Sequence, residues 1–168
     1  VKVKQPFLVA AWLAAAAPLA AQQHRPPQPS PSRADSDSAF AAMQERGMHV
    51  MGVNQYTARH VFEPLPDGGR IELQETVDDT AAVTRIRHHL AQIATAFSRG
   101  DFTAPGLVHR KHVPGTEVMA ARRAAITYRM TPLPRGGEVR ITSRDPDAVA
   151  AVHAFLAFQR REHHAGAH

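Results

Sequence analysis

The chain has 168 residues, no cysteine, and 20 basic against 15 acidic side chains, for a formal net charge of +5. Without cysteine there are no disulfides, no thiolate metal ligands, no cysteine nucleophile and no lipid-anchored cysteine behind a leader. The excess charge is modest and scattered, with 17 arginines and 3 lysines. No basic stripe interleaved with aromatics is present, so a nucleic-acid partner is not expected.

Residues 1–21 place Lys2 and Lys4 before an apolar run from about Phe7 to Ala17 and then small residues. That order matches a secretory signal peptide cleaved near Ala21. The run is shorter than the roughly 20 apolar residues of a comfortable membrane span, so no stable membrane anchor is expected after cleavage; an uncleaved anchor is the alternative. Residues 22–38, "QQHRPPQPSPSRADSDS", are rich in Pro, Gln and Ser. They offer too little apolar surface to offset the entropy of ordering, and read as a flexible linker. One domain is expected over 40–164, with 165–168 as a tail.

Within that domain, "TARHVFEP" (57–64) and "RIELQETV" (70–77) alternate as half-buried strands, with Ala58, His60 and Phe62 on one face. Pro66-Asp67-Gly68-Gly69 between them carries turn chemistry. In 78–100, Val83, Ile86, Leu90, Ile93 and Phe97 recur at helical spacing, with Asp78 or Asp79 to cap the start and Gly100 to end it. Residues 101–123 read as an irregular connector with one helical turn near Glu117–Arg122 and Thr116 as its candidate cap. A connector of that length is more often functional than idle.

The plan then recurs. "LPDGGRIEL" (65–73) is echoed by "LPRGGEVRI" (133–141). Residues 124–132 and 138–143 alternate as strands, with Ile126, Tyr128, Met130, Val139 and Ile141 inward. Asp145-Pro146 opens a helix whose stripe holds Val149, Val152 and Leu156. Two ββα units, about 57–100 and 124–163, each have one apolar sheet face and one apolar helix stripe. The expected fold is α+β: a four-stranded antiparallel sheet with two helices packed on one face. Chance reuse of a good turn would give the same architecture.

Eleven histidines are the unusual resource. At about 100° per residue, His88 points away from the first helix's stripe and His89 lies on its edge. His153 flanks the second stripe and His163 falls back on it, while His60 sits on the inward strand face. A transition-metal site built from His60, His89 and His153 with a connector histidine, His109, is the functional reading, since imidazole suits zinc and copper. The plainer reading is that each histidine bonds backbone or a carboxylate. No HExxH spacing supports a metal within one element. His112, and Met48, His49 and Met51 in "GMHVMG", are weaker candidates, the methionines reading better as packing residues. Hydrolase chemistry has less support, because no GxSxG elbow exists. Glu63, Glu72 and Glu75 near His60 read as solvated carboxylates rather than acid/base partners. The glycine pairs fall at hairpin turns, not at a phosphate-binding helix start.

"MGVNQ" (51–55), "HVF" (60–62), "DGGRIEL" (67–73), "IRHHLAQIATAF" (86–97), "GDF" (100–102), "PG" (114–115), "ITY" (126–128), "GGEVRI" (136–141) and "VHAFLAFQRREH" (152–163) together resemble a group of small exported bacterial proteins of uncharacterised function. The resemblance spans nearly the whole expected domain and implies no catalytic residue. Members are sometimes labelled aspartate carbamoyltransferase; no Ser-Thr-Arg-Thr phosphate loop stands in this sequence.

Three functions stay open. The first is an exported periplasmic or extracellular binding or accessory module, with a transition metal (zinc or copper) or haem as its candidate cofactor. The second is a small hydrolase or lyase using histidine acid/base chemistry. The third is a protein-interaction domain, for example a homodimer pairing sheets; the polar outer face (Glu72, Gln74, Thr127, Arg129, Arg140) argues against a large apolar interface.

Overall fold

The computed structural model describes residues 33–52 and 56–165. The expected leader, most of the expected linker with His24, and the end of the tail with His168 lie outside the described residues. Strands β1 (Ala58–Leu65), β2 (Gly68–Glu75), β3 (Ile126–Leu133) and β4 (Gly136–Ser143) form one antiparallel sheet in the order β1-β2-β4-β3. Helices α1 (Arg33–Met51), α2 (Thr80–Ser98), α3 (Thr103–His109), α4 (Thr116–Ala121) and α5 (Pro146–Glu162) complete the element order. The α+β class and the four-stranded sheet with helices packed on it are as expected. Among the described residues no helix is long and apolar enough to cross a membrane.

The turns are tighter than the sequence suggests. Leu65 pairs with Gly68 and Leu133 with Gly136, so only Pro66-Asp67 and Pro134-Arg135 lie between strands. The glycines belong to the strands. A Cβ on Gly68 would meet the Ile141 carbonyl, and one on Gly136 the Leu73 carbonyl, both closer than 3.0 Å. Gly68 also sits at φ +140°, a conformation that side chains resist.

The central β2–β4 pair runs from Gly68 opposite Thr142 to Gln74 opposite Gly136, with Ile71 facing Val139 at its middle. Those two residues hold the same place in the echoed nonapeptides. The echo therefore sets the register of the sheet's centre, not merely two similar turns.

The helices cross over. Helix α2 follows β1–β2 in sequence but packs on β3 and β4, whereas α5 follows β3–β4 and packs on β1 and β2. The second glycine of each pair makes room: Gly69 lies against Leu156 of α5, and Gly137 against Leu90 of α2. Inward residues of the sheet (Phe62, Ile71, Leu73, Ile126, Val139, Ile141) meet Ile86, Leu90, Phe97, Val152, Phe155 and Leu156 of the two helices in one core. Val149, expected on the α5 stripe, is only partly buried; Ala148, Ala151 and Phe155 take the buried places beside Val152 and Leu156.

Capping follows local chemistry. Asp79 accepts from the Ala82 N–H at the start of α2, and Gly100, at φ +81°, follows its end. At α5, Asp145 accepts from Asp147 and Ala148 and Pro146 takes the first turn. Arg122 ties Asp145 and Asp147 together at 2.5 and 2.7 Å. Asp145→Ala is expected to lower the urea midpoint, while Asp145→Asn, which keeps an acceptor, retains most of it. Equal losses in the two variants would show that charge, not capping, is what matters there. At α4 the N-cap is Gly115, and Thr116 instead donates to Val113 O, correcting its expected capping role.

Two helices were not expected. Helix α1 begins at Arg33, inside the stretch read as linker. Its sequence has no apolar stripe; it is held by buried Met43 and by Arg46 Nε donating to Val108 O at 2.8 Å. Met48, expected to pack, is 43% exposed, and His49 beside it is exposed. Helix α3 occupies the connector read as irregular. Thr, Pro and Gly in its seven residues hide it from propensity; Asp101 accepting from Thr103 N–H and the burial of Val108 and His109 secure it.

The other sheet face carries charge. Arg59 binds Glu72 at 2.8 Å, and Arg70 reaches Glu63, Glu72 and Glu138 at 2.5, 2.9 and 3.1 Å. Arg140 of β4 pairs with Asp67 in the β1–β2 turn. Glu72 is buried beneath this layer, not solvated as expected.

Candidate functional site

The crossed helices leave a pocket between them. Its floor is the β1–β2 face (His60, Phe62, Ile71, Leu73), its walls are α2 (His89, Leu90, Ile93, Phe97) and α5 with its C-cap (Phe155, Gln159, His163), and α3 (Ala104, Pro105, Val108, His109) roofs it. The cavity volume is about 70 Å³ and it opens to solvent. Water takes about 30 Å³ in the liquid, so this is space for a few waters or a short apolar group.

Of the four histidines expected to gather, three do: His60, His89 and His109 line the pocket, and His153 does not. His153 Nε2 bonds Leu65 O at 2.9 Å instead. The reason is helical phase. Phe155, Gln159 and His163 recur every four residues along one line of α5, whereas His153 lies two residues before Phe155, about 200° round the helix. His163 takes its place. The four-residue recurrence is readable in the sequence, but a lone glutamine on an apolar stripe carries no motif, and only the structure places Gln159 in the site.

The rings touch one another. His60 and His163 stack with centroids 5.5 Å apart and planes at 12°, and His163 meets His109 edge-on at 5.2 Å. His109 Nε2 donates to Gln159 Oε1 at 3.0 Å, leaving Nδ1 buried without a hydrogen-bond partner. His60 Nδ1 lies 3.1 Å from Ala58 O. A carbonyl only accepts, so the proton is on Nδ1 and the Nε2 lone pair stays open. His89 is 9% exposed and forms no hydrogen bond or ion pair among the described residues.

These imidazoles are neutral at pH 7. Burial lowers His60 from 6.5 to about 4, its Ala58 hydrogen bond opposing and His89 adding to the fall. Burial also brings His89 to about 4, with a contribution from His88. His163 falls to about 3, first by burial and then by repulsion from His60, His109 and His164. His109 is lowered by burial, against which the Gln159 hydrogen bond and Glu162 act.

No Ser, Thr, Asp, Glu, Lys or Arg lines the pocket. Glu63 and Glu72 lie on the opposite sheet face; Glu75, buried rather than solvated as expected, shares the face of His60 but is not in the lining. The acid/base partnership considered for these carboxylates therefore does not form. Among the described residues no group of three or more His, Asp or Glu side chains is arranged to hold a metal ion. His88 and His112 are exposed, His112 standing 3.4 Å from Glu117, and His164 stacks on Phe40.

Fold and site together define a class: a two-layer α+β domain with an apolar pocket walled by neutral histidines. Searches of known families, characterised proteins and solved structures gave no match to the chain.

Proposed function

We propose that this protein is an exported small-ligand-binding or accessory module whose ligand occupies the pocket among β1–β2, α2, α3 and α5. The observation that carries the reading is His109: its Nδ1 is buried without a hydrogen-bond partner, on a ring that lines an apolar cavity. An unsatisfied buried polar group costs about 1–3 kcal/mol, and a bound molecule that supplies the missing partner offsets it. Export rests on the leader-like first 21 residues and on the resemblance to small exported proteins. Absence of a nucleophile or carboxylate from the lining favours binding over hydrolysis.

The test is an NMR titration of the full chain with small uncharged and charged molecules, following the imidazole resonances. Binding of an uncharged ligand at 100 times its Kd is expected to raise stability by about 2.7 kcal/mol. Ile93→Trp, which fills the pocket from α2, is expected to abolish both effects. Binding that survives Ile93→Trp, or stoichiometric zinc, copper or haem in untagged protein, would replace this reading.

A further inference from the structure

We infer, on the basis of the pocket reading above, that the ligand is a small uncharged molecule with an apolar body and a hydroxyl group that donates its proton to His60 Nε2. Three observations converge. The Ala58 carbonyl holds the His60 proton on Nδ1, so the floor of the pocket offers an acceptor and asks for a donor. Apart from Gln159 and the other three imidazoles, the lining is aliphatic or aromatic, with Phe62, Phe97 and Phe155 placed to cover an apolar body. No fixed charge lines the cavity, so an anion or cation would lose its water without gaining a counter-ion. His89, with no protein partner, can donate to or accept from the same hydroxyl oxygen. An acidic ligand could bind only by charging one of these rings, and burial holds His60, His89 and His163 far below neutrality.

Four short-chain probes of similar size separate the possibilities: propan-1-ol, 1-chloropropane, propionate and propylammonium, measured by NMR titration of the full chain at pH 7.5. Propan-1-ol is expected to bind about fivefold or more tighter than 1-chloropropane, the worth of one net hydrogen bond, with neither ion binding at the same concentrations. In His60→Phe, 1-chloropropane binding is expected to persist while the advantage of propan-1-ol disappears. In the unaltered protein, the His60 Nε2 nitrogen resonance is expected to shift with propan-1-ol and not with 1-chloropropane, a readout that holds even if the variant folds poorly. 1-Chloropropane binding as well as propan-1-ol, or propionate binding best, would overturn the hydroxyl inference and leave the pocket standing. If none of the four binds, the pocket reading itself fails, and this inference with it.

Discussion

Lowering the pH from 7.5 to 4 is expected to unfold the domain or bring it close to unfolding. Three imidazoles titrate near 6.5 when exposed in the unfolded chain but at about 4, 4 and 3 when folded. Above pH 6.5 both states are neutral and stability does not depend on these groups. Between 6.5 and about 4 the unfolded chain binds protons that the folded chain refuses, so stability falls as pH falls. A shift of some 2.5 units corresponds to about 3 kcal/mol per ring; His60 and His163 keep part of their surface, so solvent trims their share. The sum is nevertheless comparable with the ~5–15 kcal/mol that typically holds a domain together.

The charged neighbours do not cancel the effect. Glu162 favours a proton on His109, but Lys111 and Arg46 oppose it, and His88 and His164 oppose protons on His89 and His163. Urea unfolding at a series of pH values checks the prediction. Stability should be flat above pH 7 and fall steeply below 6.5, and His89→Phe should make the slope visibly shallower. A wild-type profile level down to pH 5 would show that the rings are not buried as described.

The second large effect concerns Gly136. A Cβ there would fall within 3.0 Å of the Leu73 carbonyl and of Gln74 Cα, both backbone atoms of the neighbouring central strand. Neither can swing away without breaking the β2–β4 ladder, so Gly136→Ala is expected to cost about 3 kcal/mol or more, the upper end of overpacking penalties. Gly106 is the internal control. It lies within α3, and nothing stands within 4 Å of its Cβ position. Gly106→Ala is expected to stabilise by up to about 1 kcal/mol through helix propensity alone. Urea melts of the two variants should move in opposite directions. A Gly136→Ala protein as stable as the parent would mean that the two hairpins do not approach as closely as the register requires.

Much of this architecture was legible because it is written in local periodicity. Alternation in Ile71-Leu73 and Val139-Ile141 fixed two inward faces, and the spacing of Ile86, Leu90 and Phe97 fixed a helix stripe. Asp79, Gly100, Asp145 and Pro146 marked helix ends through chemistry that acts within one turn. Helices α1 and α3 were not legible, since neither has a stripe or strong propensity; long-range contacts such as Arg46 to Val108 O hold them. The candidate site was half legible. His60, His89 and His163 can each be placed on an inward or edge position and His109 only in the connector, whereas His153 flanks the α5 stripe without reaching the pocket and Gln159 carries no motif.

Local sequence sets the four strands, α2 and α5, their inward faces and the stock of histidines, all consequences of a side chain's relation to neighbours within a few residues. Long-range packing is what exchanges α2 and α5 between hairpins over Gly69 and Gly137, buries Glu72 under arginines and closes α3 over the gap between the helices. Those outcomes depend on which surfaces fit when distant segments meet. It is that fit, and no motif, that gathers four neutral imidazoles round one small apolar space.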